Sequence, residues 1–332
     1  MENIINPDVL EDDLLRINPE LLDTLLRDHT TGSNIFWATD DYANKGEGFG
    51  FSDQITADSI TGANGHVIMP RKFKPQKVQT ARAKDMAEVF TPAWICNAQI
   101  NLIDDAWFGR SGVFNTENPD HTWTPNLNPI TFPEGKTWHD YVHDTRLEIT
   151  CGEAPYIVSR FDVTTGETIA VGKRIGLLDR KMWLIHVNTP DLQDGMAPDE
   201  IKRIRKNWIR NVYRAFQSVY GFDWQGDNVL LAREALLLSF IEYYQAKWNT
   251  KELPQMQSLL KVAEIISWNI WQMDGLKYGI PGQTPKEFNE SSELNFDTDS
   301  YVSPKERYCR VMEWKNVEPL KGIEVAFVTL LN

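Results

Sequence analysis

The feature that most constrains the fold is an alternation of short apolar stretches and longer amphipathic stretches in the middle of the chain. The predicted strands cover residues 145–150, 219–222 and 269–272, and the predicted helices cover residues 200–219, 228–248 and 259–266. Ile204, Trp208, Val212 and Phe216 recur at a spacing of four, which is typical of a helix with one buried face. Strands that alternate with helices form parallel sheets with crossover connections. The sequence therefore predicts an α/β fold.

Each predicted strand leads into a residue that suits a nucleoside ligand. Gly152 follows the first strand, Asp223 follows the second and Asp274 follows the third. Ligands of parallel sheets bind beyond the carboxyl ends of the strands, where a glycine lets the backbone approach and an acid accepts from ribose hydroxyls. Asp274 would then supply a polar group near the base. An aspartate after a strand is more often a helix cap. Asp179 is an alternative ribose-binding acid, ranked second because its charged neighbours favour a solvated turn.

Four segments, in a fixed order along the chain, resemble the motifs of a known family. They are residues 88–92 (EVFTP), 148–154 (EITCGEA), 219–223 (VYGFD) with Asp227, Asn228 and Arg233, and 267–276 (SWNIWQMDGL). Together they are similar to the segments E-V/F-F-T-P, E-P-x-C-G-x-G, Y-G-I-E/D with D-N and R, and S-x-N-I-x-x-G-D-A-L. Those segments belong to the adenine-N6 DNA methyltransferases of restriction–modification systems.

The resemblance implies a fold and a cofactor. The fold would be a Rossmann-like sheet of the S-adenosylmethionine-dependent methyltransferase type in residues 86–280. An N-terminal α+β extension would occupy residues 1–85, and a linker with a short C-terminal β segment would occupy residues 281–332. The cofactor would be S-adenosyl-L-methionine.

The resemblance also implies a set of cofactor-binding residues, which lie in the four segments. Phe90, Thr91 and Pro92 would line the methionine end of the cofactor. Glu148 opens the loop in which Cys151 and Gly152 would let the backbone pass the cofactor, Asp223 would accept from its ribose, and Asp274 would lie near its adenine.

Two departures from the family pattern bear on activity. Ala154 stands where the loop has its second glycine, and Ile149 stands where the loop has its proline. The catalytic tetrapeptide Asn/Asp/Ser-Pro-Pro-Tyr/Phe, which in the family holds the adenine amino group and stacks on the flipped base, has no counterpart, because the sequence contains no Pro-Pro pair.

Three interpretations of function remain open. The chain is a subunit of an adenine-N6 DNA methyltransferase that binds S-adenosylmethionine, with the catalytic motif missing or supplied by a partner protein. Alternatively, it is a catalytically inactive subunit that serves binding or assembly. A methyltransferase acting on another substrate is neither indicated nor excluded.

DNA contact would need local basic patches, because the formal net charge of −13 disfavours bulk attraction to phosphates. One candidate patch has six basic residues and no acid within residues 71–84: Arg71, Lys72, Lys74, Lys77, Arg82 and Lys84. A second is a helical stripe with a spacing of four: Lys202, Lys206, Arg210 and Arg214. For this stripe a solvated helix face is the favoured interpretation over a polyanion contact.

The remaining sequence features indicate a cytoplasmic protein without a membrane partner. No apolar stretch approaches the ~20 residues that span a bilayer, and the acidic N-terminus differs from the basic start of a signal peptide. Three scattered cysteines predict neither disulfides nor a metal site. His139 and His143 are four residues apart, but a third ligand is not evident, so no metal is predicted.

Overall fold

The computed structural model describes residues 11–85, 91–285, 307–314 and 321–331, which form a mixed α/β structure. Its helices are α1 (Glu11–Ile17), α2 (Pro19–Leu26), α3 (Ala57–Ile60), α4 (Gln76–Asp85), α5 (Ala93–Phe108), α6 (Trp138–His143), α7 (Leu177–Val187), α8 (Pro198–Gln217), α9 (Gly226–Trp248) and α10 (Met256–Asn269). Its strands are β1 (Arg27–Asp28), β2 (Ser33–Asn34), β3 (Asn115–Glu117), β4 (Trp123–Pro125), β5 (Arg146–Glu148), β6 (Val219–Asp223), β7 (Ile270–Gln272), β8 (Arg310–Trp314) and β9 (Gly322–Ala326).

A small parallel sheet of three strands, in the order β5-β6-β7, lies at the centre of the region in which the sequence predicts a parallel sheet. Glu148 pairs with Gly221, and Asp223 pairs with Gln272. The three predicted strands and their parallel pairing are therefore confirmed. The sheet is small, and its strands are three to five residues long.

The two faces of this sheet are covered by different layers. Val219 and Ile270 belong to the main hydrophobic core, which they share with helix α9. Phe222 and Trp271 point to the opposite face and pack with Phe327, which follows the antiparallel β8–β9 hairpin. Helix α9 is buried along most of its length. It is therefore the central helix of the fold.

The three predicted helices of the crossover connections are confirmed. In α8, Pro198 occupies the first turn and Trp208, Val212 and Phe216 are buried. Proline suits the first turn because its missing N–H has no partner there in any helix. Helix α9 ends at Asn249, whose left-handed conformation (φ 45°) is a common helix terminus. Helix α10 is longer than predicted at both ends.

Helix α5 confirms a helix that the sequence predicts over residues 86–106, but its buried face is a different one. The pattern favours an apolar face with Trp94, Leu102 and Ile103, and these side chains are 37%, 69% and 40% exposed. The buried face consists of Ala93, Cys96, Asn97, Ile100, Asp104 and Phe108. Asn97 and Asp104 are buried because Arg180 of α7 bonds to both. The hydrophobic pattern did not predict this face because two of its buried residues, Asn97 and Asp104, are polar.

The expectation of a β-rich excursion over residues 157–185 is confirmed only at its predicted turn at residues 165–166, which an antiparallel bridge between Phe161 and Thr168 flanks. The turn is present, and Gly166 N donates to Asp162 O over 2.7 Å. Residues 177–187, however, form helix α7. The charged residues Asp179, Arg180 and Lys181 are buried there, not solvated. Lys181 donates to Val142 O and Ser218 Oγ, which only the folded chain brings near.

Short elements account for the other differences from the sequence predictions. Residues 66–69 are turn and bend instead of strand, and residues 35–38 contribute a single bridge from Phe36 to Gln54. Residues 111–140, predicted as a long loop, contain the β3–β4 hairpin. Of the predicted strand over residues 325–331, residues 327–330 form a 3₁₀ turn.

The N-terminal region packs into the same core as the sheet region. Leu21 and Leu22 of α2 lie in the hydrophobic cluster that contains Val219 and Ile270. Arg233 of α9 donates to the backbone oxygens of Leu25 and Arg27, at 2.5 and 2.9 Å. The proposed division at residues 85 and 280 stays a prediction. Among the described residues, none of the helices combines the length and the apolar composition that crossing a bilayer requires.

A buried ionic cluster joins α4 to the start of α9. Asp227 Oδ2 accepts from Lys74 Nζ (3.0 Å), Arg82 Nη1 (2.8 Å) and the Tyr42 hydroxyl (2.7 Å). Burial by itself would raise the pKa of Asp227, but the charges of Arg82 and Lys74 outweigh it and hold that pKa well below its usual value. The carboxylate is therefore charged, and its two cations are committed to it.

Replacing Arg82 by methionine should lower the free energy of unfolding by about 3–5 kcal/mol, because it removes one cation from a buried ionic cluster. Urea denaturation followed by circular dichroism measures the change. Lys84→Met on the same helix is the control, since Lys84 is exposed; its effect should stay within about 0.5 kcal/mol. Equal effects of the two substitutions would show that the cluster does not stabilise the fold.

Candidate cofactor site at the carboxyl edge of the sheet

The carboxyl end of β6 holds the ends of both neighbouring strands. Cys151 N, in the loop after β5, donates to Phe222 O over 2.8 Å, and Met273 N, after β7, donates to Asp223 O over 2.9 Å. Gly152 N donates to the Asp223 carboxylate, at 2.9 Å from Oδ2. Two of the predicted positions, Gly152 and Asp223, are thus hydrogen-bonded to each other, and a third, Cys151, bonds to the residue before Asp223.

The loop after β5 contains three residues in the left-handed conformation. Thr150, Gly152 and Ala154 have φ values of 49°, 53° and 59°. A Cβ atom added at Gly152 would meet no atom within 4 Å, so the space beside this glycine is open. Ala154, which replaces the family's second glycine, adopts the conformation that glycine adopts most easily. The loop therefore keeps a glycine-like backbone path despite the alanine.

Glu148 lies under this loop with half of its carboxyl group unpartnered. Its Oε1 accepts from Tyr156 N over 3.4 Å, and its Oε2 is buried with no hydrogen-bond partner among the described residues. Burial raises the pKa of Glu148 well above its usual value, and the nearby Asp223 raises it further. A buried oxygen of this kind costs about 1–3 kcal/mol until a donor reaches it. The site thus presents an acceptor that a ligand could satisfy.

Asp223 has a structural role that the sequence does not reveal. Besides Gly152, its carboxylate accepts from Gln225 N (3.0 Å) and Asn228 Nδ2 (3.3 Å), which lie at the start of α9. Burial raises the pKa of Asp223, while these hydrogen bonds oppose the increase. A carboxylate has about four acceptor positions. Asp223 therefore positions the loop and helix and retains capacity for one further donor.

Asp274 is close to the other strand ends, but its side chain closes a turn. Its Oδ1 accepts from Leu276 N (2.9 Å) and Lys277 N (3.2 Å). This is the capping role that is common for an aspartate after a strand. Its expected position near adenine stays a prediction.

The segment before α5 bonds to the first turn of that helix, and the helix in turn bonds to the loop after β5. Pro92 O accepts from the first-turn amides of Ile95 and Cys96, at 3.0 and 3.1 Å. Thr91 O accepts from Cys96 Sγ, and the hydroxyl of Tyr156, in the loop after β5, is bonded to Gln99 of the same helix. Phe90, the third predicted residue of this segment, lies outside the described residues.

Two residues at this site escaped the sequence prediction. Asp162 Oδ2 accepts from Ala93 N over 2.8 Å and so caps α5 from a distant turn. Tyr156 links the loop to α5. The turn at Asp162 follows a local sequence pattern, because the Asp162 Oδ1 accepts from the amides of Thr164 and Thr165, two and three residues later. The bond between Asp162 and Ala93 of α5 has no such pattern, because the two residues are far apart in the sequence. Asp179, the alternative ribose acid, is buried and bonds Ser159, Gly176 and Tyr243.

The six predicted DNA-contact residues divide into two groups. Lys72, Lys77 and Lys84 are exposed and Arg71 is half-buried. Lys74 and Arg82 are buried in the Asp227 cluster, so the prediction that they contact DNA is corrected: their charges are neutralised inside the protein. In the α8 stripe, Arg214 is buried, while the other three members are exposed.

Comparison with protein-family models, curated proteins and solved structures finds no match for this chain. Among the described residues there is also no group of three or more His, Cys, Asp or Glu side chains that could hold a metal ion.

The buried Glu148 carboxyl should make stability depend on pH. Its folded pKa is raised, so ionisation of Glu148 costs stability: the loss is absent below its unfolded pKa of about 4.3 and grows as pH rises toward the folded value. Glu148→Gln carries no titrating proton. The stability of this variant relative to the wild type should therefore increase steadily from about pH 5 to pH 8, as measured by denaturation at several pH values.

The control for this measurement is Glu134→Gln, because Glu134 is exposed. This variant should follow the wild-type profile. A constant difference between Glu148→Gln and the wild type across the pH range would contradict the raised pKa.

Proposed function

We propose that this chain binds S-adenosylmethionine as a subunit of an adenine-N6 DNA methyltransferase of the restriction–modification type. The observation that carries the proposal is the contact between Gly152 and Asp223 at the carboxyl edge of a parallel sheet, with the unpartnered Glu148 oxygen beside it. A Rossmann-like methyltransferase sheet in residues 86–280 is part of the proposal. The order of the four family-like segments supports it as well.

The residues present fit the cofactor in chemical terms. The open space at Gly152 admits a ligand against the backbone, Asp223 has capacity for a ribose hydroxyl, and Glu148 Oε2 lacks a donor such as the cofactor's ammonium group. Thr91 and Pro92 lie at the start of α5, which the Tyr156 hydroxyl joins to the same loop through Gln99. When bound, the cofactor supplies an electrophilic methyl group; these residues would hold and orient it and keep water away.

Catalysis on DNA requires residues that this sequence does not contain. Without a Pro-Pro pair the chain lacks the tetrapeptide that grips the flipped adenine. We propose that a partner chain supplies it. The outer edge of β5 supports this idea: among the described residues no strand pairs with it, and Leu147 of β5 and Ile149, which follows the strand, are 42% and 66% exposed. A strand added in parallel there would end beside Gly152.

The second candidate is an inactive binding or assembly subunit, which the missing tetrapeptide favours. Labelled cofactor and DNA distinguish the two. If the chain binds cofactor but transfers a methyl group only when a partner with the Pro-Pro motif is present, the split enzyme is supported. Transfer by the isolated chain would contradict the need for a partner, and no transfer with any partner would favour the inactive subunit.

Binding of S-adenosylmethionine should be detectable by calorimetry with one site per chain. Gly152→Ala should weaken it at least about tenfold, because the added methyl occupies the space of the ligand and destabilises a left-handed position. Gly112→Ala is the matched control, since Gly112 has a φ of 69°, has open space around it and lies in a different loop. It should leave the affinity unchanged. Absence of binding to the wild-type chain would refute the proposed cofactor.

A further inference from the structure

A groove of 850 Å³ lies between α8, α9 and α10, on residues that the cofactor site does not use. Its lining combines basic and aromatic side chains. The residues that matter here are Lys202, Arg205, Lys206, Tyr213, Tyr244, Trp248 and Lys261. Lys202 and Lys206 belong to the basic stripe noted in the sequence.

The basic residues of the groove are not neutralised within the protein. Lys202, Arg205 and Lys206 are exposed and Lys261 is half-buried. Across the described ranges, none of the four has a carboxylate within ion-pair distance. The acid that lines the groove, Glu264, instead contacts Arg27 at 3.5 Å and the Trp268 indole at 3.0 Å. Four adjacent positive charges in a chain of net charge −13 repel one another until an anion arrives.

The aromatic residues add a second, independent feature. Tyr213, Tyr244 and Trp248 are partly exposed along the groove. The Arg205 guanidinium lies 5.4 Å from the centroid of the Trp248 ring. Trp248 Nε1 is shielded from solvent and has no hydrogen-bond partner among the described residues. An indole N–H can only donate, so this atom requires an acceptor that the protein does not supply.

We propose that this groove binds single-stranded nucleic acid. Cations that follow a backbone, combined with rings that stack on bases, are the recurring means of holding single strands. A duplex would satisfy the charges but hide the faces of its bases, and an acidic protein segment has no need of three aromatic rings. This inference rests on the proposed function only in that both involve nucleic acid; binding in the groove does not depend on binding of the cofactor.

Fluorescence anisotropy of the full chain with a labelled twelve-nucleotide oligothymidine tests the proposal. An abasic oligonucleotide of equal length, a duplex and polyglutamate serve as competitors. Oligothymidine should bind at least about tenfold more tightly than the abasic strand, because stacking adds to the charge term. Lys202→Glu/Lys206→Glu should weaken binding at least about tenfold and reduce its salt dependence.

The matched control is Lys45→Glu/Lys173→Glu, which changes the net charge equally at two exposed lysines outside the groove. It should weaken binding less than about threefold. Thermal melts and S-adenosylmethionine titrations of both double variants should match the wild type, which separates failure of this site from failure of the proposed function. The proposal is overturned by equal affinity for the abasic strand, by tighter binding of duplex or polyglutamate, by equal loss in the control, or by no binding.

Discussion

The carboxyl end of β6 is the point on which the remaining structure depends. Phe222 O and Asp223 O accept from the loop after β5 and from the end of β7, and the Asp223 carboxylate joins that loop to the start of α9. Because the strands are short, these few bonds decide how the three strand ends lie relative to one another. The expected binding geometry is thus a by-product of the interactions that close the sheet edge.

Asp223 has a structural role in the fold, and the proposed function adds a ligand-binding role to it. Three hydrogen bonds to its carboxylate, from Gly152, Gln225 and Asn228, stabilise the protein and leave about one acceptor position unused. Glu148 differs from Asp223 because its buried Oε2 accepts no hydrogen bond from the described residues. A group that lowers stability and has no internal partner is the kind of feature found at ligand sites. The two acids therefore differ in function although both are buried.

The sequence predicted the elements with strong local periodicity and missed those that depend on distant partners. Strands β5, β6 and β7 and helices α8 and α9 follow from apolar spacing. Helix α7 did not, because Asp179, Arg180 and Lys181 read as surface residues until the chain brings Tyr243, Asp104 and Ser218 to them. For the same reason the motifs indicate which residues follow the strands at the sheet edge, whereas the unpartnered Glu148 oxygen depends on the folded chain.

The sequence also does not reveal which basic residues are buried and which are exposed. Lys74 and Arg82 look like the exposed lysines beside them, yet they neutralise Asp227 in the interior. The α8 stripe loses Arg214 to the interior, whereas Arg205 and Lys261, which share no linear pattern with it, join Lys202 and Lys206 in one groove. Only the folded structure tells which cations are available to an anion.

A crystal structure of the chain with sinefungin, an analogue of the cofactor, tests the central claim most directly. The account predicts the ligand's ribose within hydrogen-bond distance of Asp223, its chain passing Gly152, and a donor on Glu148 Oε2. A ligand bound elsewhere, or bound here with Glu148 still unpartnered, would contradict the account.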